Sequence, residues 1–354
     1  MVDVLPHPPG SDLAPRKQKG PTLSNDNPAL RKWWHPVGTV EEIGDGPARV
    51  MLFGEPWVVV RLGGELTAFV DRCPHRFAPL SRGKIVDDVL ECGYHGWRYN
   101  AAGRCTLIPA LGEAGPVPAG AKVERAFGVT ERYGLIWLAI QAPVADILEV
   151  PEWDDPSLLK GMLQPQRCPI TAGWMIDNFL DFAHFPFLHA KTIGASEGAE
   201  VDEYRVTREG WSFGLTYTGS FQNLWDPGVE EGIRPLVQQR TMTYRYRAPF
   251  TLLVRYDFHD TDQVLVALNT IQPEAEHQSR LYLTLLDSNV EGGEEGMKEA
   301  LAFEQAVIDE DLGMQAVYDA KEMPLDLHDE FHTRADRITV ELRRVLWDLV
   351  QSAS

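Results

Sequence analysis

Four residues stand out for what they could hold together. Cys73 and His75 form a Cys-x-His pair, and Cys92 and His95 form a Cys-x-x-His pair after sixteen intervening residues. Two thiolates can bind one iron of a [2Fe–2S] cluster while two neutral imidazoles bind the other. The smaller negative charge makes such a cluster easier to reduce than an all-thiolate one. Gly83, Gly93 and Gly96 flank the ligands, and Pro74 and Pro79 stiffen the first loop. Backbone amides can therefore approach the sulfides and hydrogen-bond them. A zinc module uses the same residue types but pairs like with like, Cys with Cys and His with His. Here each pair mixes the two, which favours the cluster over zinc and over four unrelated core residues.

A second group follows later in the chain. Thr171–His184 reads as one helix, on which Asp177, Asp181 and His184 fall at i, i+4 and i+7 and share a face. His189 comes five residues after His184. Pro186 is expected to end the helix just past His184, so the chain can fold back and both imidazoles can address one metal. Two His and one carboxylate on Fe(II) leave positions open for O2 and substrate. The competing reading is a pair of half-buried core histidines among Phe182, Phe185 and Phe187. His35, between Trp34 and Pro36 and away from any ligand pair, reads as a packed histidine.

The stretch Cys73–Trp97 resembles the ligand pattern C-x-H-x16-C-x2-H of the Rieske non-haem iron oxygenases. The respiratory Rieske proteins carry an extra Cys in each ligand loop, where this chain has Ala78 and Tyr94. Asn178-x-x-Asp181-x-x-His184-x4-His189 resembles the mononuclear-iron motif of the same family, and the resemblance spans about residues 33 to 318. It implies that Cys73, His75, Cys92 and His95 hold the cluster and that His184 and His189 bind the iron. It implies for Asp181 the role of a bridging carboxylate, between a ligating His and a Rieske His (here His95) of a neighbouring subunit. Asn178 would lie near the iron without binding it. The family's carboxylate ligand comes late, on a helix. Ile308–Gln315 resembles that segment, with Asp311 the best match and Asp309 and Glu310 as alternatives. A helix with Asp311 inward would turn Glu310 about 100° away, towards solvent. The resemblance further implies a homotrimer, O2 as cosubstrate, and electrons passed from NAD(P)H by a ferredoxin or flavin-dependent reductase through His95, Asp181 and His184. The reaction would be hydroxylation or oxidative demethylation of an organic small molecule, aromatic or heterocyclic, as in the monooxygenase and O- or N-demethylase branch. The alternative is a Rieske electron-transfer protein without oxygenase activity, which the His184/His189 motif opposes.

These residues need a scaffold. Residues 1–28, rich in Pro, Gly, Ser, Asp and Asn, read as a mobile arm. Residues 29–145 read as an all-β Rieske domain, with strand patterns at Arg49–Phe53, Trp57–Arg61, Leu66–Val70, Trp97–Asn100, Ala126–Val129 and Leu135–Ala139. Residues 146–354 read as the catalytic domain. Strand patterns there run from Tyr204–Thr207 through Trp211–Thr218, Thr241–Arg247, Thr251–Phe258 and Val264–Ile271 to Arg280–Leu286. Helices are predicted at Met297–Tyr318 and Asp329–Val350. Strands framed by helices give an α+β chain, whose second part would be an antiparallel-sheet, helix-grip (START-like) domain. A pocket is expected between sheet and helix. Its aromatic candidates are Trp211, Phe213, Tyr217, Trp225, Tyr244, Tyr246 and Phe250, and Arg245, Arg247 and Arg255 are candidates for an acidic substrate.

Composition narrows the rest. The net charge of −19 opposes binding to nucleic acid or to an anionic membrane surface. No apolar run reaches membrane-spanning length, and the first residues lack the basic and apolar regions of a signal peptide. Cys105 and Cys168 suggest no disulfide framework, so a reducing, cytoplasmic setting is expected.

Overall fold

The computed structural model describes residues 20–190, 192, 200–222, 229, 231–288 and 293–352; Trp225 lies outside them. Three small antiparallel sheets form the N-terminal part. Ala48–Leu52, Glu55–Leu62 and Glu65–Val70 make the first. Their two-residue hairpins need left-handed backbone, and Phe53–Gly54 and Gly63–Gly64 supply it with φ of 57°, 76°, 59° and 83°. The second sheet consists of Lys84–Val86, Val89–Glu91, Arg98–Tyr99 and Cys105–Leu107, and it carries the Cys/His loops. The third joins Gly128–Arg132 and Leu135–Ala139 to His35–Thr39. His35 is buried, and its Nε2 donates to the Leu30 carbonyl (2.9 Å). It packs as expected.

The C-terminal part is one antiparallel sheet. Its long strands are Ser212–Gln222, Val237–Arg247, Thr251–Phe258, Val264–Ala275 and Gln278–Asp287, each paired with the next. Thr207–Glu209 adds one edge, while Leu159–Met162 and Gln166–Cys168 pair along Gln278–Asp287. On Val237–Arg247 the inward residues are the even-numbered ones, so Met242, Tyr244 and Tyr246 are buried. The helix Ala172–Leu180 packs on the sheet and against the helices Glu294–Gln315 and Arg337–Gln351. Burying each large apolar side chain in this layer contributes roughly 1.5–3 kcal/mol. Among the described residues, no helix is long and apolar enough to cross a membrane.

Two expectations need correction. The arm expected to reach residue 28 is fixed from Gly20 onwards. Thr22–Leu23 pairs with Met323–Pro324, and Leu23 is buried. The Asn25 amide donates to the carbonyls of Ala275 (2.8 Å) and Gln278 (3.0 Å), and its oxygen accepts from the Ala172 N–H (2.8 Å). Secondly, the helix expected to run to His184 stops at Leu180, and Asp181 is extended. The Asp181 carboxylate accepts from the Ala183 N–H at 2.8 Å, a local bond that competes with continuing the helix. Pro186 does not end this helix. It sits in the first turn of a new one, Phe185–Leu188, where its missing N–H costs nothing.

Candidate metal centres

The two Cys/His loops are built alike. The Cys73 N–H donates to the Ala78 carbonyl and the Cys92 N–H to the Trp97 carbonyl, both at 2.8 Å. Four residues after each cysteine, an N–H returns to the cysteine carbonyl, from Phe77 (2.8 Å) and from Gly96 (3.0 Å). Those two residues share the left-handed conformation, with φ of 60° and 68°. A Cβ on Gly83 would run into the Glu91 carbonyl oxygen, and one on Gly93 would lie 2.5 Å from the Arg82 carbonyl oxygen. The loops can therefore approach only as bare backbone. Cys73 and Cys92 are buried, neither is in a disulfide, and the Tyr99 hydroxyl lies 3.1 Å from Cys73 Sγ. The His75 ring stacks on Trp97 (4.6 Å between centroids) and lies 4.5 Å from the His95 ring. His75 Nδ1 is buried without a hydrogen-bond partner. Two buried thiols beside two converging imidazoles, one with an orphaned nitrogen, fit a [2Fe–2S] cluster.

The second group gathers three residues from two chain-distant segments. His184 precedes the one-turn helix, His189 follows it, and Asp311 projects from Glu294–Gln315. The two Nε2 atoms lie 3.1 Å apart, and Asp311 Oδ1 is 3.1 Å from that of His189 and 3.4 Å from that of His184. An octahedral ion with bonds of ~2.1 Å holds adjacent donors ~3.0 Å apart, so the triangle fits one face of a divalent iron site. Both outer nitrogens are committed elsewhere. His184 Nδ1 donates to Asp181 (3.2 Å) and His189 Nδ1 to Glu310 (2.9 Å). That leaves each Nε2 lone pair facing the gap. Asn178 Nδ2 donates to Asp311 Oδ1 at 3.1 Å.

The protonation tendencies agree. Burial works against a His184 cation, yet hydrogen bonds to Asp181 and Asp311 outweigh it and push its pKa up to about 9. Burial also opposes the Asp311 anion, and the bonds from His184 and His189 still hold its pKa down. The trio asks for positive charge in its centre.

The sequence expectations fare unevenly here. Asp309 is not with the trio; its carboxylate accepts from Gln305 Nε2 at 2.7 Å on the exposed side of the helix. Glu310 does not point freely into solvent, because His189 and Thr192 both donate to it. Asp177 turns to Arg343 (2.6 Å) rather than to the His184 side. A cavity of about 150 Å³ opens against the trio, walled by Phe179, Val254, Tyr256, Leu265, Val307 and Ile308. None of the described aromatic candidates lines it. Phe213 stacks on Tyr246 and Tyr217 on Phe182, as parts of the core. Arg245 donates to the Glu149 carbonyl and, with Arg247, alternates out of phase with the buried side chains of its strand, while Arg255 pairs with Asp257. Apart from the trio, the cavity's polar side chains are instead Asn178, Gln222, Arg240, Asn269 and Glu304. An arginine in register with Met242, Tyr244 and Tyr246 was the available signal.

Comparison with known proteins adds a second line of support. The Rieske [2Fe-2S] domain matches residues 33–124, and the vanillate O-demethylase oxygenase C-terminal domain matches residues 171–352, more than half of the chain. The methylxanthine N1-demethylase of Pseudomonas putida is 30% identical over 93% of this chain and 92% of that protein. The methylxanthine N3-demethylase of the same organism is 30% identical over 95% of this chain and 94% of that protein. The solved structure of the former with caffeine superposes with a TM-score of 0.81 at 29% identity, covering 93% of each chain.

Proposed function

The chain belongs to the Rieske non-haem iron oxygenases, and we propose on that basis that it hydroxylates or oxidatively demethylates an organic small molecule, aromatic or heterocyclic. Its family members are monooxygenases and demethylases with small-molecule substrates. The observation that carries the reading for this chain is the His184–His189–Asp311 triangle, with both Nδ1 atoms held by carboxylates and a cavity against it.

We assign Cys73, His75, Cys92 and His95 to a [2Fe–2S] cluster, and His184, His189 and Asp311 to a ferrous ion. Bound there, the cluster would supply electrons singly and the ion would supply the site for O2. The chain does the rest. Asp181 and Glu310 fix the tautomers of the two imidazoles, Asn178 steadies Asp311, and the apolar walls keep water from the substrate. His95 is exposed, and the Asp181 side chain keeps 31% of its surface. This supports a homotrimer in which one subunit's cluster loop meets its neighbour's Asp181. The electron source would be a ferredoxin or flavin-dependent reductase drawing on NAD(P)H, and the unpaired thiols favour the cytoplasm.

The test is iron and acid-labile sulfide per chain after anaerobic purification and Fe(II) reconstitution. The expected result is about three irons to two sulfides. About two irons to two sulfides, persisting after reconstitution, would leave an electron carrier without its own oxygenase activity.

A further inference from the structure

The helix Ala172–Leu180 holds no member of the metal trio, but it presents Asn178 to Asp311 and ends at Asp181, the partner of His184. A turn or slide of this helix therefore moves two polar supports of the trio at once. The residues that fix it lie far along the chain on either side. At its start Thr171 occupies the N-cap position, but its buried hydroxyl has no partner among the described residues. The Ala172 N–H donates instead to Asn25, 147 residues earlier. A Cβ on Gly173 would lie 3.0 Å from Met323 Sδ, so the strand paired with Thr22–Leu23 packs closely on the helix.

Near its other end the hold is ionic. Arg343, whose side chain is 2% exposed, donates from Nη1 and Nη2 to Asp177 (2.6 and 3.4 Å) and from Nε to Glu330 (2.7 Å). Its guanidinium carbon lies 5.6 Å from the Trp174 ring centroid. Burial pushes the Asp177 pKa up to about 6, and Arg343 keeps it from rising further. The segment before Glu330 is tied in turn to the start of the fold. Leu325 N–H donates to the Pro21 carbonyl and Gly20 N–H to the Asp329 carboxylate, both at 3.0 Å. Apolar side chains in place of a buried ion triad often leave a fold as stable or more so. A planar fork between two carboxylates supplies something else, fixed angles and a fixed register, where apolar contacts tolerate sliding.

We propose that Arg343 is a positioning residue for the iron centre. With Asp177 and Glu330 it sets the helix Ala172–Leu180 where Asn178 meets Asp311 and Asp181 meets His184, and the segment Gly20–Asn25 is the latch that keeps this clamp closed. The inference rests on reading His184, His189 and Asp311 as the ferrous site.

The experiment compares the native chain with the triple variant Asp177→Leu, Glu330→Met, Arg343→Met after anaerobic Fe(II) reconstitution. It reads ferrous-ion affinity by chelator competition, the cluster's visible absorption, and Tm. The variant should keep the cluster absorption and a Tm at or above the native one. It should bind the mononuclear iron about tenfold more weakly, the low end of what lost outer-shell support costs. A chain shortened to begin at Asn25 should also lose iron affinity, and one beginning at Gly20 should not. Native iron affinity in the triple variant, or a drop in Tm that parallels the loss of iron, would overturn the clamp. Equal iron loss in the two shortened chains would overturn the latch. Two irons to two sulfides in the native chain would sink the clamp together with the oxygenase reading, whereas three irons and an unaffected triple variant would sink the clamp alone.

Discussion

The two candidate metal centres of this chain are assembled on opposite plans. The cluster site is made by backbone: two loops with the same hydrogen-bond offsets, left-handed residues at the same place, and glycines that let one loop lie on the other. Its His75 and His95 rings have aromatic neighbours and no carboxylate partner among the described residues. The second site is made by side chains from distant segments, and each imidazole there has an acidic partner behind it. A cluster brings its own sulfides and charge, so the protein need only present four ligands and nearby amides. A lone ferrous ion must have its geometry, tautomers and charge supplied by the fold.

The contrast can be broken at several points. The largest effect is expected of Asp311→Ala. It should abolish turnover and remove the mononuclear iron while the cluster's visible spectrum stays intact, and Asp309→Ala should do neither. Simultaneous loss of cluster absorption would show the sites to be structurally dependent. Asp181→Asn should leave a cluster that reduces normally and a protein that scarcely turns over, read by anaerobic reduction followed by single-turnover product analysis; full activity would remove the bridging role. Glu310→Gln should lower ferrous-ion affinity or activity by about 10- to 100-fold, measured by competition with a chelator. The smallest change is expected at the other site. Tyr99→Phe removes the hydroxyl beside Cys73 Sγ. A hydrogen bond stronger by about 0.5–1.5 kcal/mol to the reduced, more negative cluster than to the oxidised one corresponds to ~20–60 mV, so the midpoint potential should fall by that order in a spectroelectrochemical titration.

The same contrast explains what could be read from the chain alone. The four candidate cluster ligands lie within Cys73–His95, and local spacing was enough to propose them. The separation of cluster and catalytic parts and the antiparallel sheet were equally legible, because alternation and turn residues are local signals. The second site depends on which segment lies behind which. Helical geometry turns Glu310 away from Asp311 but says nothing of the loop that brings His189 and Thr192 to meet it. Asp181 looked helical by periodicity, while its own side chain caps the Ala183 N–H and ends the helix. Arg240 was missed by one residue. The strand expected from Thr241 in fact begins at Val237, and its inward face carries an arginine where the pattern calls for a hydrophobe.

The pairing of Thr22–Leu23 with Met323–Pro324 bears on the order in which the protein is made. The Thr22 hydroxyl bonds Glu322 across 300 residues of sequence. Closing a loop of that length costs roughly 5 kcal/mol of chain entropy beyond a constant term. A two-residue ladder cannot offset that until the parts between have already folded, so the strap is a late contact. During synthesis Cys73, His75, Cys92 and His95 all emerge long before Met323. The two Cys/His loops can therefore be assembled before the His184–His189–Asp311 site is complete, with Thr22–Leu23 still unpaired and its partner strand not yet translated.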